Sequence, residues 1–180
     1  MQTQNHPLEP FFHQAVRNSY EGKLGIYDPN IVRYISKLLC EFSESDNLYK
    51  LHDSAGRPVT DLAELVKASD PVYGSAASFD AERAMRKYIG DYALFVAGMY
   101  PEPDETTRSR HARRPSTQEL IQAGKESYAI VSQFNLFEYE EEAPLFARLA
   151  DRFERCVLGL KLVREEMDER KMALTPPAQG

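Results

Sequence analysis

Apolar residues recur along most of this chain at the spacing of helical turns. From Leu8 to about Glu21, Phe11, Phe12, Ala15, Val16 and Tyr20 mark one face of a first predicted helix. Gly22 and Gly25 end it. Asp28-Pro29 is a start signal, an N-cap acceptor followed by proline at the first helical position. The second helix then places Ile31, Ile35, Leu38, Leu39 and Phe42 together.

Residues 48–59 break this rhythm. Leu48, Lys50 and His52 alternate with Tyr49 and Leu51 ahead of a turn-like DSAG, so a short β-hairpin is expected there. Thr60 or Asp61 caps a short helix carrying Leu62, Leu65 and Val66. Ser78 begins the next one, with Asp80 and Glu82 at the positive end of its dipole. Its stripe is Met85, Tyr88, Ile89, Tyr92, Phe95, Val96 and Met99, and Pro101 stops it. After a polar, charged loop at 101–115, Ser116 and Glu119 form a capping box for a helix with Leu120, Ile121, Tyr128, Val131 and Phe134. EYEEE, Glu138 to Glu142, separates it from a last helix starting near Ala143-Pro144. Phe146, Leu149, Phe153, Cys156, Val157, Leu160, Val163 and Met167 line one side of that helix, which would run roughly 40 Å at a rise of about 1.5 Å per residue.

The predicted fold is therefore all-α, a bundle of about five to six helices with its last three long helices at the centre. The expected organisation is an N-terminal arm at 1–7, one helical domain at 8–172 with a mobile charged loop at 101–115, and a disordered tail at 173–180.

Composition agrees with one globular domain, since 42% of 180 residues are hydrophobic. With 28 acidic and 22 basic residues the net charge is −6, which favours neither nucleic acid nor anionic membrane. No apolar run approaches the roughly 18 residues that span a bilayer, and MQTQNHPLEPFF lacks the form of a signal peptide. A cytoplasmic location follows as the expectation. Cys40 and Cys156 lie within apolar helical patterns and read as small core residues rather than a disulfide.

Gly90 and Asp91 interrupt RKYIGDYALFVAGMYPE, residues 86–102. A glycine inside a helix costs about 0.5–1 kcal/mol against alanine, so something must offset it. Gly90, Gly98, Gly124 and Gly159 are best read as points where another helix approaches closely. Asp91 borders the apolar stripe and needs a partner if buried. Arg83, Arg86, Lys87, Arg148, Arg152 and Arg155 are the choices.

The search for chemistry is mostly negative. Glu-x-x-His pairs of di-iron bundles are absent, and Glu9 with His13 supplies one exposed pair rather than a metal site. There is no Cys-x-x-Cys, and AGKES at 123–127 lacks the first glycine of a phosphate loop. No nucleophile elbow or dinucleotide fingerprint occurs. His13 is the candidate if the bundle held a heme; no metal or cofactor is otherwise implied. RSRHARRPS, carrying Arg108, Arg110, Arg113 and Arg114, is a candidate basic docking loop, with EYEEE as a counterpart within or between subunits.

YKLHDSAGRPVTDLAELVKASDP, RKYIGDYALFVAGMYPE and ADRFERCVLGLKLVREEM together resemble an uncharacterised family of bacterial all-helical proteins. The resemblance implies a bacterial cytosolic protein with a helical fold, and transfers no catalytic residue, ligand or partner.

Three function classes remain. The first is a non-enzymatic protein that works by association, as a homodimer joined through the last helix and the helix from Ser78 to Tyr100. The second is a pocket for a small apolar ligand or heme near Tyr88, Gly90, Asp91, Tyr92, Phe95 and His13. The third, least favoured, is an enzyme using a carboxylate at Asp91 or Glu82, for which no companion base is evident.

Overall fold

The computed structural model describes residues 7–43, 62–70, 78–100 and 115–174, with side chains through Arg170. Among them are seven α-helices: α1 (Glu9–Arg17), α2 (Pro29–Ser43), α3 (Leu62–Ala68), α4 (Phe79–Met99), α5 (Thr117–Gln133), α6 (Ala143–Asp151) and α7 (Phe153–Leu174). The all-helical bundle is as the apolar periodicity predicts. The hairpin expected at 48–59 lies outside the described residues, as do the terminal arm through residue 6, positions 101–114 of the charged loop and residues 175–180.

The centre is α4. It packs against α5 and α7 most extensively and also touches α2 and α3, while α5 reaches α6 and α7 as well. This position explains why its buried surface is wider than the expected stripe: every residue from Ala93 to Gly98 is buried. Four glycines make the close approaches possible. A Cβ at Gly90 would fall closer than 3.0 Å to the Tyr128 ring, at Gly98 to Leu160, at Gly124 to Phe153 and at Gly159 to Tyr20.

The local signals act as their chemistry dictates. Ser78 Oγ accepts the Ala81 N–H at 3.1 Å. Ser116 and Glu119 close a reciprocal capping box on α5. Asp28 Oδ1 accepts the N–H groups of Asn30 and Ile31, both at 3.2 Å, at the start of α2. Its other oxygen accepts from Arg148 Nε at 2.7 Å, which fixes α2 to α6. Burial opposes ionisation of this carboxyl, but Arg148 and the two amides outweigh it and hold it below the usual carboxylate range.

Two elements differ from expectation. The first helix leaves α geometry after Arg17 and continues as a π-helix over Asn18–Lys23. The wider turn carries Tyr20 onto Gly159, where its hydroxyl donates to the Cys156 carbonyl at 2.6 Å. Gly25, at φ +67°, then turns the chain. The last helix is two helices. Arg152, at φ −105° and ψ 21°, separates α6 from α7 although Arg152 N–H still reaches the Arg148 carbonyl and Cys156 N–H the Arg152 carbonyl. Because those bonds carry across the break, the apolar phase is preserved, and neither proline nor glycine marks the position.

Both cysteines are free and buried. Burial pushes the Cys156 thiol up to about 12, so it stays a protonated core group. No helix among the described residues is long and apolar enough to cross a membrane.

Candidate functional site

Asp91 is buried, at 5% exposure, on the central helix. An ionised carboxylate there needs partners from whatever helices surround it. Three supply them. Tyr34 of α2 donates to Oδ1 at 2.5 Å, and Tyr128 of α5 donates to the same oxygen at 2.7 Å. Lys87, one turn earlier on α4, donates to Oδ2 at 3.1 Å. One carboxylate thereby joins three helices.

The aromatic rings close around these bonds. Tyr34 meets Tyr128 edge-on at 6.3 Å and Phe146 at 5.4 Å, and Tyr128 lies 5.7 Å from Phe153. Lys87 Nζ sits 5.6 Å from the centre of the Tyr34 ring. Burial first, and then the Asp91 charge, raise the pKa of Tyr34 and of Tyr128 well above the ordinary phenol value. Both phenols therefore serve as donors and not as phenolate bases. Burial works against the Lys87 charge, but the neighbouring Asp91 outweighs it and raises the ammonium pKa.

Tyr34, Lys87 and Asp91 of this network form the floor of a cleft of about 700 Å³ between α2 and the start of α6, with Tyr128 buried beneath them. The α2 wall carries Asn30, Arg33, Tyr34, Lys37, Leu38 and Glu41. These residues lie three or four apart, as one helical face requires. Across from them are Glu141, Glu142, Pro144, Leu145 and Arg148. A second cavity of about 360 Å³ lies on the other side of the Lys87–Asp91 pair, bordered by Phe42, Arg83, Met85 and Tyr88.

The segment before α6 is held firmly. Buried Arg83 pairs with Glu142 at 2.8 Å and stacks 4.0 Å above the Tyr139 ring. Tyr139 in turn donates to Asp80 at 3.0 Å. Of the EYEEE run, Glu142 thus finds its cation on α4. Arg108, Arg110, Arg113 and Arg114, offered as its counterpart, lie outside the described residues.

The residues singled out by sequence separate into two groups. Asp91 and Tyr88 do border cavities. Gly90 does not open a pocket, because the Tyr128 ring occupies the space above it. Phe95 stacks on Phe42 at 5.2 Å, and Tyr92 packs against the core beside Tyr88. His13 is exposed on α1, and Glu82 is half-buried in the first turn of α4; neither lines either cavity. Lys87 is among the cations the sequence offers for Asp91, and Tyr128 lies on the apolar stripe of its helix, whereas Tyr34, Arg33 and Lys37 carry no expectation from the sequence. The polar face of α2, repeating at helical spacing, is the signal that points to three of them. Among the described residues no three His, Cys, Asp or Glu gather closely enough to hold a metal ion.

Comparison with known proteins finds no matching family model, no matching curated protein and no matching solved structure. The resemblance to bacterial helical proteins therefore rests on the quoted stretches alone.

Proposed function

We propose that this chain is a non-enzymatic binding protein whose α2–α6 cleft takes a small organic ligand. The observation that carries this reading is the cleft of about 700 Å³ above a carboxylate already bonded by Tyr34, Tyr128 and Lys87. Its volume falls within the range of about 300–1,000 Å³ common to small-molecule sites. A floor whose polar groups satisfy one another is rigid, which lowers the ordering cost of binding. It is also poorly suited to catalysis. Asp91 receives three donors, and the two phenols hold their protons, so the network itself offers no free acid–base pair.

Native mass spectrometry of freshly purified protein tests the proposal. A retained mass that disappears when Leu145→Trp fills the cleft is the expected result. Protein that carries no added mass, and gains none from a mixed metabolite extract, refutes it.

Self-association is a second reading, favoured by a different observation. Phe79, Leu136 and Phe137 are exposed at 73%, 67% and 86%. The Tyr139–Asp80 bond brings their two segments to the same end of the bundle. Phe137 also holds φ +55°, which a non-glycine residue rarely adopts. The faces of α4 and of the last helix first expected to join two copies are largely used in the core. A homodimer would instead meet through this end, and Phe137→Ser would return it to monomer in the same spectra.

A further inference from the structure

The charges along the cleft are not mixed at random. Arg148 is bound to Asp28 at the start of α2, so α6 runs past α2 with its last turn beside the first turn of α2. Glu141 and Glu142, before the first turn of α6, consequently lie toward Glu41 at the far end of α2. The Coulombic influence of both Glu41 and Glu142 on Lys87 agrees with that placement. One end of the cleft is therefore cationic, with Arg33 and Arg148, and the other is anionic, with Glu41, Glu141 and Glu142. Lys37 stands between them on the α2 wall.

Several of these charges are already used. Arg148 pairs with Asp28, and Glu142 with Arg83. Glu41 also has an interaction of its own. Arg33 has a long 3.3 Å bond to Asn30 and no ion pair, and Lys37 and Glu141 have no ion pair among the described residues. Arg33 and Glu141 are thus unneutralised at opposite ends. From Arg33 to Glu41 the helix rises about 12 Å at 1.5 Å per residue. Pro144, Leu145 and Leu38 supply apolar surface between.

We propose that the cleft binds a short peptide with free termini, its C-terminal carboxylate at Arg33 and its amino terminus at Glu141. This inference rests on the ligand-binding reading and gives it a ligand class. An α-amino acid separates its two charges too little to span the cleft. An extended chain gains about 3.3–3.6 Å per residue, so three to four residues cover the roughly 12 Å along α2 from Arg33 to the level of Glu41. Both charges of such a ligand meet opposite charges, and its side chains meet the apolar patch.

The test offers the protein three randomised tripeptide pools: free at both ends, N-acetylated, and C-amidated. Native mass spectrometry reads the bound fraction. The free pool is expected to bind, and each cap to weaken binding about tenfold, as loss of one bond between charged groups implies. In the R33Q/K37Q variant, whose altered residues are exposed, C-amidation should cost nothing further while N-acetylation still does. E141Q should give the reverse pattern. Equal binding of all three pools overturns the proposal, as does failure of the free pool to add mass. If the pool fails while the purified protein carries another small molecule that L145W removes, the peptide inference falls and the ligand-binding reading stands. If no molecule binds at all, both fall.

Discussion

Removing the Asp91 carboxylate should cost this fold a large share of its stability. In Asp91→Ala, the hydroxyl of Tyr128 loses its acceptor in a residue with no solvent exposure. An unsatisfied buried hydroxyl costs about 1–3 kcal/mol. Tyr34 loses the same acceptor but borders the cleft, so water can replace part of it. Lys87, with a third of its side chain exposed, can turn to solvent and adds little. Together these give about 3–4 kcal/mol, most of it from the two phenols. For a domain of this size that lowers Tm by about 10 °C. Asp91→Asn keeps an acceptor oxygen for both phenols and should cost only about 1–2 kcal/mol. Urea titration of the three proteins at neutral pH gives the comparison, with unchanged m-values showing that the unfolded states are alike. If Asp91→Ala lies within about 1 kcal/mol of the parent, the hydrogen-bonded network does not support the bundle as argued.

The same substitution at two glycines should have opposite signs. Gly124→Ala forces a methyl into the Phe153 ring and should destabilise by about 1–3 kcal/mol, whereas exposed Gly22, with nothing within 4 Å of its missing Cβ, should gain about 0.5–1 kcal/mol; urea midpoints measure both. Ser116→Ala removes the acceptor for Glu119 N–H and should cost about 0.5–2 kcal/mol, with loss of amide protection confined first to the start of α5. Tyr34, Tyr128 and Lys87 all have raised pKa values in the fold, so their contribution is complete below their unfolded values and is lost as pH rises through the folded ones. Denaturation midpoints should therefore fall steeply above about pH 10, and less steeply in Y34F/Y128F; equal slopes would assign the loss to other groups.

Much of the fold is legible in the sequence because its determinants are local. Asp28-Pro29, Ser78 and the Ser116–Glu119 box each act within one turn, and each starts a helix where expected. The helical glycines are legible too, since an interior glycine has few reasons to persist besides close packing. What was not legible depends on distance along the chain. Tyr34 and Tyr128 are separated from Asp91 by 57 and 37 residues, and no periodicity specifies which helices meet. The π-turn at Asn18–Lys23 likewise follows from where Tyr20 must go, a tertiary demand met by Gly159. The α6–α7 break escapes for the opposite reason: its hydrogen bonds and apolar phase continue, so no local residue type records it.

The Asp91 network bears on the proposed binding through what it leaves free. Its donors and acceptor saturate one another, so a ligand settling on this floor finds few unsatisfied polar groups to recruit. On the proposed reading, discrimination would come from the rim, where Arg33, Lys37 and Glu141 stand. Such charges are flexible and screened by salt, while the floor is fixed by three helices. Shape would be set by residues whose loss unfolds the protein, and charge preference by residues whose loss does not. Stability and binding should consequently separate by position. Changes at Asp91, Tyr128 and Phe146 should move both together, whereas R33Q, K37Q and E141Q should alter ligand choice and salt dependence with the unfolding midpoint nearly unchanged. A rim substitution that lowered stability by as much as Asp91→Asn would contradict this division and place the exposed charges within the folding network itself.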